Sequence, residues 1–108
     1  MRRIQLARMI MDNHKAASAL ESLGNETRLA IYRQLVRAGM TGLPVGKLRE
    51  RVQIPGSTLS HHLSQLVSTG LVNQKREGRI LRCTANYATM QDLVDYLVKE
   101  CCQDEACE

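Results

Sequence analysis

Apolar residues recur along this chain with two different periods, and the change between them marks its central feature. Leu59, Leu63, Leu66 and Val67 stand at helical spacing and predict one apolar stripe. Ser57, Thr58, Ser60, His61 and Gln65 fall on the opposite side of that helix, which ends at Gly70. Beyond it, Leu71 to Gln74 and Ile80 to Thr84 read as two strands, with Arg76-Glu77-Gly78-Arg79 turning between them.

The flanks read as helices. A helical region covers roughly residues 2–22, with a break near Asp12-Asn13 and an apolar side of Ala16, Ala19, Leu20 and Leu23. Gly24-Asn25 caps a second helix, with Glu26 in its first turn, where the helix dipole favours an anion. Leu29, Tyr32, Leu35 and Val36 are its expected inner stripe, and Gly39 its end. Thr41-Gly42-Leu43-Pro44 predicts a turn into a short helix, with Pro44 at the first helical position and Val45, Leu48 and Val52 buried. Ile54-Pro55-Gly56 is a tight connection to the Ser57 helix, and two short helices so joined make a helix-turn-helix. Residues 86–102 predict the last helix, with Met90, Leu93, Val94, Leu97, Val98 and Cys101 on one stripe. The expected fold is mainly α with a β-hairpin: a winged helix-turn-helix over residues 1–102, followed by a short acidic, cysteine-containing tail over 103–108.

Charge sharpens this picture. The chain has 108 residues and a net charge of +4. Residues 51–82 hold Arg51, Lys75, Arg76, Arg79 and Arg82 against Glu77 alone, so this segment carries the whole net charge. No Asp or Glu lies between Glu50 and Glu77, as a helix face near a polyanion requires. Short polar side chains on such a face suit base edges and phosphates in a major groove. The residues expected to meet DNA are Ser57, Thr58, Ser60, His61 and Gln65 on the helix and Lys75, Arg76 and Arg79 on the wing. With no Trp or Phe, the core is aliphatic. The apolar run at Ile4 to Met11 is broken by Arg8 and is too short and polar for export or membrane insertion, so a cytoplasmic location is expected.

Three segments resemble the ArsR/SmtB family of dimeric winged-helix repressors: Leu23-Gly-Asn-Glu-Thr-Arg-Leu-Ala-Ile31, Ser57 to Val72 with Leu59-Ser-His-His-Leu63, and the Arg76-Glu-Gly-Arg79 wing tip. With the flanking helices the resemblance covers about residues 15–100. It implies a homodimer built on the first and last helices, with Met90, Leu93, Val94 and Leu97 at the interface. It also implies an inverted-repeat operator in double-stranded DNA and release on inducer binding. Two sensing sites of that family are missing or incomplete. Pro44 and Gly46 stand where arsenic- and cadmium-type members carry two thiols. The last helix has Asp92 and Asp95 but no histidine, where zinc-type members hold zinc.

The cysteines offer another site. Cys83 lies in the second wing strand, and Cys101, Cys102 and Cys107 lie at or beyond the end of the last helix. Adjacent cysteines close poorly on each other as a disulfide, so Cys101-Cys102 is a dithiol free to chelate a soft centre. Three readings compete: packing, a thiophilic sensing site, and a redox or persulfide switch. The sensing reading resembles a relocated arsenic site, with Cys101 and Cys102 as the fixed pair, Cys107 as a third ligand and Cys83 as a further candidate. Arsenite is best held by three thiolates, whereas a methylated trivalent arsenical needs two, so the lean is toward the methylated form. Zinc usually takes four ligands, and these cysteines have no nearby histidine to complete the set. Catalysis is not expected: Ser60 and His61 diverge by about 100° on a helix and face apart.

Overall fold

The computed structural model describes residues 10–105. Its elements run α1 (Asn13–Leu23), α2 (Glu26–Ala38), a single 3₁₀ turn (Gly39–Thr41), β1 (Leu43–Pro44), α3 (Val45–Val52), α4 (Gly56–Ser68), β2 (Val72–Glu77), β3 (Ile80–Ala85) and α5 (Tyr87–Val98). This is the winged helix-turn-helix order expected from the periodicity. No helix among the described residues is long and apolar enough to cross a membrane.

Local chemistry sets the helix starts. Asp12, Asn25 and Asn86 are N-caps whose side chains accept from the backbone N–H of Lys15, Arg28 and Thr89 at 2.8, 3.0 and 3.2 Å. Gly39 ends α2 with φ 72°. Leu59, Leu63 and Leu66 are buried from α4, and Leu48 from α3. They meet Ile31, Tyr32 and Leu35 of α2 together with Leu71 and Val72 in one core.

The stripes depart from the periodic reading at their edges. In α2 the buried set is Ile31, Tyr32 and Leu35, while Leu29 is 42% exposed. In α1 the buried set is Ala16, Ala19 and Ser22, and Leu20 is exposed. Small residues face inward there because α1 lies close against its neighbours, and Ser22 satisfies its hydroxyl locally by donating to the Ala19 carbonyl at 2.8 Å.

The sheet is larger than a hairpin. Leu43–Pro44 forms an edge strand, giving the order β1-β3-β2 with all pairs antiparallel. Pro44 is therefore the residue before α3, extended at φ −61° and ψ 148°, and not its first helical residue. An edge strand tolerates proline because one side of its backbone needs no ladder partner. Gly42 makes the approach possible: a Cβ there would stand 2.2 Å from the Cys83 carbonyl oxygen. Strands β2 and β3 run through Glu77 and Ile80, longer than the expected pair, and only Gly78-Arg79 turns between them. Gly78 has φ 64°, which suits the first central position of a type II′ hairpin turn.

The last helix is shorter than expected. It ends at Val98, and Glu100 and Cys102 adopt left-handed φ values of 65° and 66°. Cys101 consequently leaves the α5 stripe. Residues 99–105 are all exposed, with no aliphatic side chain to bury against the protomer, and Glu100, Asp104 and Glu105 oppose the dipole at a helix C-terminus. Leu93 is buried in the protomer's own core, not held for a partner, and Met90 is half-buried against that core. The outward apolar face of α5 is instead Val94, Leu97 and Val98, 48, 56 and 60% exposed. Tyr96 ties α5 to α1 by donating its hydroxyl to Asn13 Oδ1 at 3.3 Å.

Candidate functional site

Two places carry chemistry: the outer side of α4 with the hairpin, and the segment after α5. On α4 the buried leucines fix which residues turn outward. Ser57, Thr58, Ser60, His61 and Gln65 are all exposed, on the arc opposite Leu59, Leu63 and Leu66. His62 sits on the flank and is half-buried. Its pKa is held below the ordinary histidine value, first by desolvation and then by the positive charges of Arg28 and His61. The neighbouring His61 and His62 rings lie 6.0 Å apart.

On the hairpin, strand alternation divides the basic residues. Cross-strand pairs Gln74–Cys83 and Arg76–Leu81 share one face, and Lys75–Arg82 and Glu77–Ile80 the other. The first face meets α4: an open groove of about 710 Å³ lies there, with Ser60, Ser64 and Val67 on one wall and Gln74 and Arg76 on the other. Arg79 at the turn also lines it. Lys75 and Arg76 thus point to opposite faces of the wing. Arg82 is engaged within the protomer, paired to Glu77 at 2.9 Å and donating to the Thr41 carbonyl at 3.2 Å. Arg51 donates to Gln34 Oε1 at 3.3 Å. Of the five cations in residues 51–82, Arg82 and Arg51 are thus engaged within the protomer, and Arg76 and Arg79 line the groove beside α4.

The cysteines fall into two environments. Cys83 is fully buried in the sheet face turned to the core. Burial pushes its thiol pKa up, partly offset by Gln74 Nε2, 3.5 Å from its sulfur. Cys101 and Cys102 are exposed and reduced, with Sγ atoms 3.2 Å apart. Sharing a proton with Cys101 is the first cause that raises the Cys102 thiol. A soft electrophile that takes both sulfurs as thiolates would therefore release protons. Cys83 does not join this pair: among the described residues no cluster of three or more His, Cys, Asp or Glu is placed to hold a metal ion. Cys107 lies outside the described residues.

One set of contacts escaped the periodic reading. Arg28 Nε donates to the Ser22 carbonyl at 2.6 Å, and its Nη1 reaches His62 Nδ1 at 3.4 Å. Ser22 Oγ also meets Thr69 Oγ1 at 3.1 Å. The sequence signal was Arg28 itself, a charged residue three places after the helix cap within the Leu23–Ile31 segment.

Comparison with known proteins agrees with this geometry. A helix-turn-helix domain model matches residues 23–75. The transcriptional activator HlyU of Vibrio cholerae is 31% identical over 100 residues, covering 93% of this chain and 90% of HlyU. The HlyU structure from V. cholerae N16961 superposes with a TM-score of 0.68 at 32% identity, over 88% of this chain and 100% of that one. An ArsR-like transcriptional regulator from Rhodococcus sp. RHA1 superposes with a TM-score of 0.74 at 25% identity, over 85% and 84% of the two chains. The putative arsenical resistance operon repressor ArsR of Halobacterium salinarum is 40% identical over 60 residues, 56% of this chain and 46% of that protein. With the reading helix, the wing and these likenesses in agreement, the chain belongs to the ArsR/SmtB family of winged helix-turn-helix, DNA-binding transcriptional regulators.

Proposed function

We propose that this regulator is a homodimeric repressor of an inverted-repeat operator, released when a trivalent arsenical binds Cys101 and Cys102. The observation that carries the reading is the exposed vicinal dithiol. Its 3.2 Å sulfur separation is well inside the span of one bridging soft atom, given that even thiolate–zinc bonds reach ~2.3 Å each. Among the described residues both cysteines are exposed, and residues 99–105 around them are turns and bends, so a ligand can reorganise the segment. The likeness to the Halobacterium arsenical repressor supports the same ligand class.

The dimer reading rests on Val94, Leu97 and Val98, a contiguous apolar face left open by the protomer's own packing. Two such faces would bring two copies together at α5 and set the spacing of two α4 helices on successive half-sites. On DNA, Ser57, Thr58, Ser60, His61 and Gln65 read base edges, and Arg76 and Arg79 take phosphates from the wing; Lys75 serves only if the outer wing face also meets DNA. Thiol binding at the end of α5 then shifts the half-site spacing, and a coupling of about 1–3 kcal/mol changes DNA affinity some 5–150-fold.

Selectivity follows from thiol count. With Cys83 buried, the fixed site offers two sulfurs, which satisfies methylarsenite; Cys107 would complete a triad for arsenite. Arsenic-edge X-ray absorption tests this reading: two sulfur neighbours per arsenic are expected with methylarsenite. An oxygen-only shell would overturn it. Equal response of a Cys107→Ser variant to arsenite and methylarsenite would remove the lean toward the methylated form.

A further inference from the structure

The Leu23–Ile31 segment does more than join two helices. Helix α1 has no basic residue in its last turn, so the carbonyls at its C-terminal end lack an internal cation. Arg28, one turn into α2, supplies it: its Nε donates to the Ser22 carbonyl at 2.6 Å, a charge-assisted bond at the negative end of the α1 dipole. The same guanidinium extends its Nη1 to His62 Nδ1 at 3.4 Å on the reading helix α4. Arginine has no acceptor, so Nδ1 must offer a lone pair and His62 carries its proton on Nε2 in this contact. A second tie involves Ser22 itself: with its own proton on the Ala19 carbonyl, its buried hydroxyl accepts from Thr69 Oγ1 at 3.1 Å, and Thr69 is the C-cap of α4. Arg28, Ser22 and Thr69 border an open polar pocket of about 320 Å³ between α1 and the flank of α4, with Gln65 and the acidic Glu21 at its exposed rim. Two points along the reading helix are thus pinned to the end of α1, the helix that Tyr96 ties to α5.

From this geometry we infer that Arg28 is a positioning residue: acting through His62, it holds α4 at the orientation that reads sequence, without touching DNA itself. A planar fork is required, because one group must reach a carbonyl on α1 and a ring nitrogen on α4 at once. Lysine keeps the charge but has no fork. The inference rests on the DNA-binding reading, which wild-type binding to promoter DNA tests separately.

The experiment measures binding of Arg28→Lys, Arg28→Gln and His62→Ala to a labelled duplex from the protein's own promoter and to a random duplex of equal length. Each variant is expected to weaken promoter binding about tenfold, while random-duplex binding moves less than about twofold, in line with the loss of one charged hydrogen bond. The Arg28→Lys/His62→Ala double variant should be no weaker than either single one, since both break the same tie. The His62 C2–H titration, followed by NMR, should shift upward in Arg28→Gln, where only His61 of the two neighbouring cations remains. His62→Ala leaves the α1 carbonyl bond intact, so it carries the test if the Arg28 variants fold poorly. Wild-type promoter affinity in Arg28→Lys would overturn the inference. So would parallel loss on both duplexes with the salt slope lowered by about one, which marks a direct phosphate contact.

Discussion

The reading helix and the cysteine segment are opposite kinds of structure in one small protein. Helix α4 has three leucines in the core, one tie to Arg28 of α2 and one to Ser22 of α1, and a sheet against its flank. Residues 99–105 have no buried side chain and turn through two left-handed, non-glycine positions. A surface that reads DNA must hold its side chains in place before it meets the ligand, because disorder there would be charged against affinity. A segment that captures a thiophilic atom can be loose, since a few strong bonds order it. Under the proposed function, this contrast puts DNA reading and ligand capture at opposite ends of the packing scale.

The largest expected effect lies on the ordered side. Leu63→Ala removes a fully buried α4 side chain and should cost about 2–5 kcal/mol in urea unfolding. A loss under about 1 kcal/mol would mean the reading helix is not anchored as described. On the open face, Leu97→Asp places a carboxylate where the second copy would sit. Sedimentation equilibrium should show the dimer lost while the circular dichroism of the protomer is kept; an unchanged dimer would move the interface elsewhere.

A smaller effect separates wing from helix. Arg79→Ala should weaken all duplexes alike and lower the salt slope by about one, whereas Ser60→Ala or Gln65→Ala should relax sequence preference and leave the slope alone. Anisotropy titrations at several salt concentrations distinguish them. His62 gives a pH test. Its folded-state pKa is lowered, so in the window between that value and its ordinary one near ~6.5 the unfolded chain binds more protons. Stability should therefore fall as pH drops below ~6.5, and His62→Gln should flatten the decline. A midpoint equally pH-dependent in both proteins would contradict the lowered His62 pKa. The smallest effect belongs to the cysteine segment: Cys101→Ser with Cys102→Ser should change stability by less than about 0.5 kcal/mol, because both side chains are exposed and touch each other rather than the core.

What could be read from sequence follows the same division. Leu59, Leu63 and Leu66, and the caps Asn25 and Gly39, were legible because burial periodicity and capping are local. The inward faces of α1 and α2 were displaced at Leu20 and Leu29, since which side is buried depends on the neighbouring helix. Strand β1 was missed because two residues carry no period, and its partner β3 lies some forty residues away. The end of α5 was overrun at Cys101, where a continuing apolar spacing suggested a helix that has nothing to pack on. The Arg28 tie was invisible because its three ends come from α1, α2 and α4.

The most direct test of the account is release from DNA. The reduced protein bound to its promoter duplex is titrated with methylarsenite and with arsenite, using wild type and the Cys101→Ser/Cys102→Ser variant. Release of the wild type alone, at lower methylarsenite than arsenite, is the predicted result. Release of the double variant by the same arsenical, or retention of DNA by wild type at saturating ligand, would contradict the assignment of the sensor to the exposed dithiol.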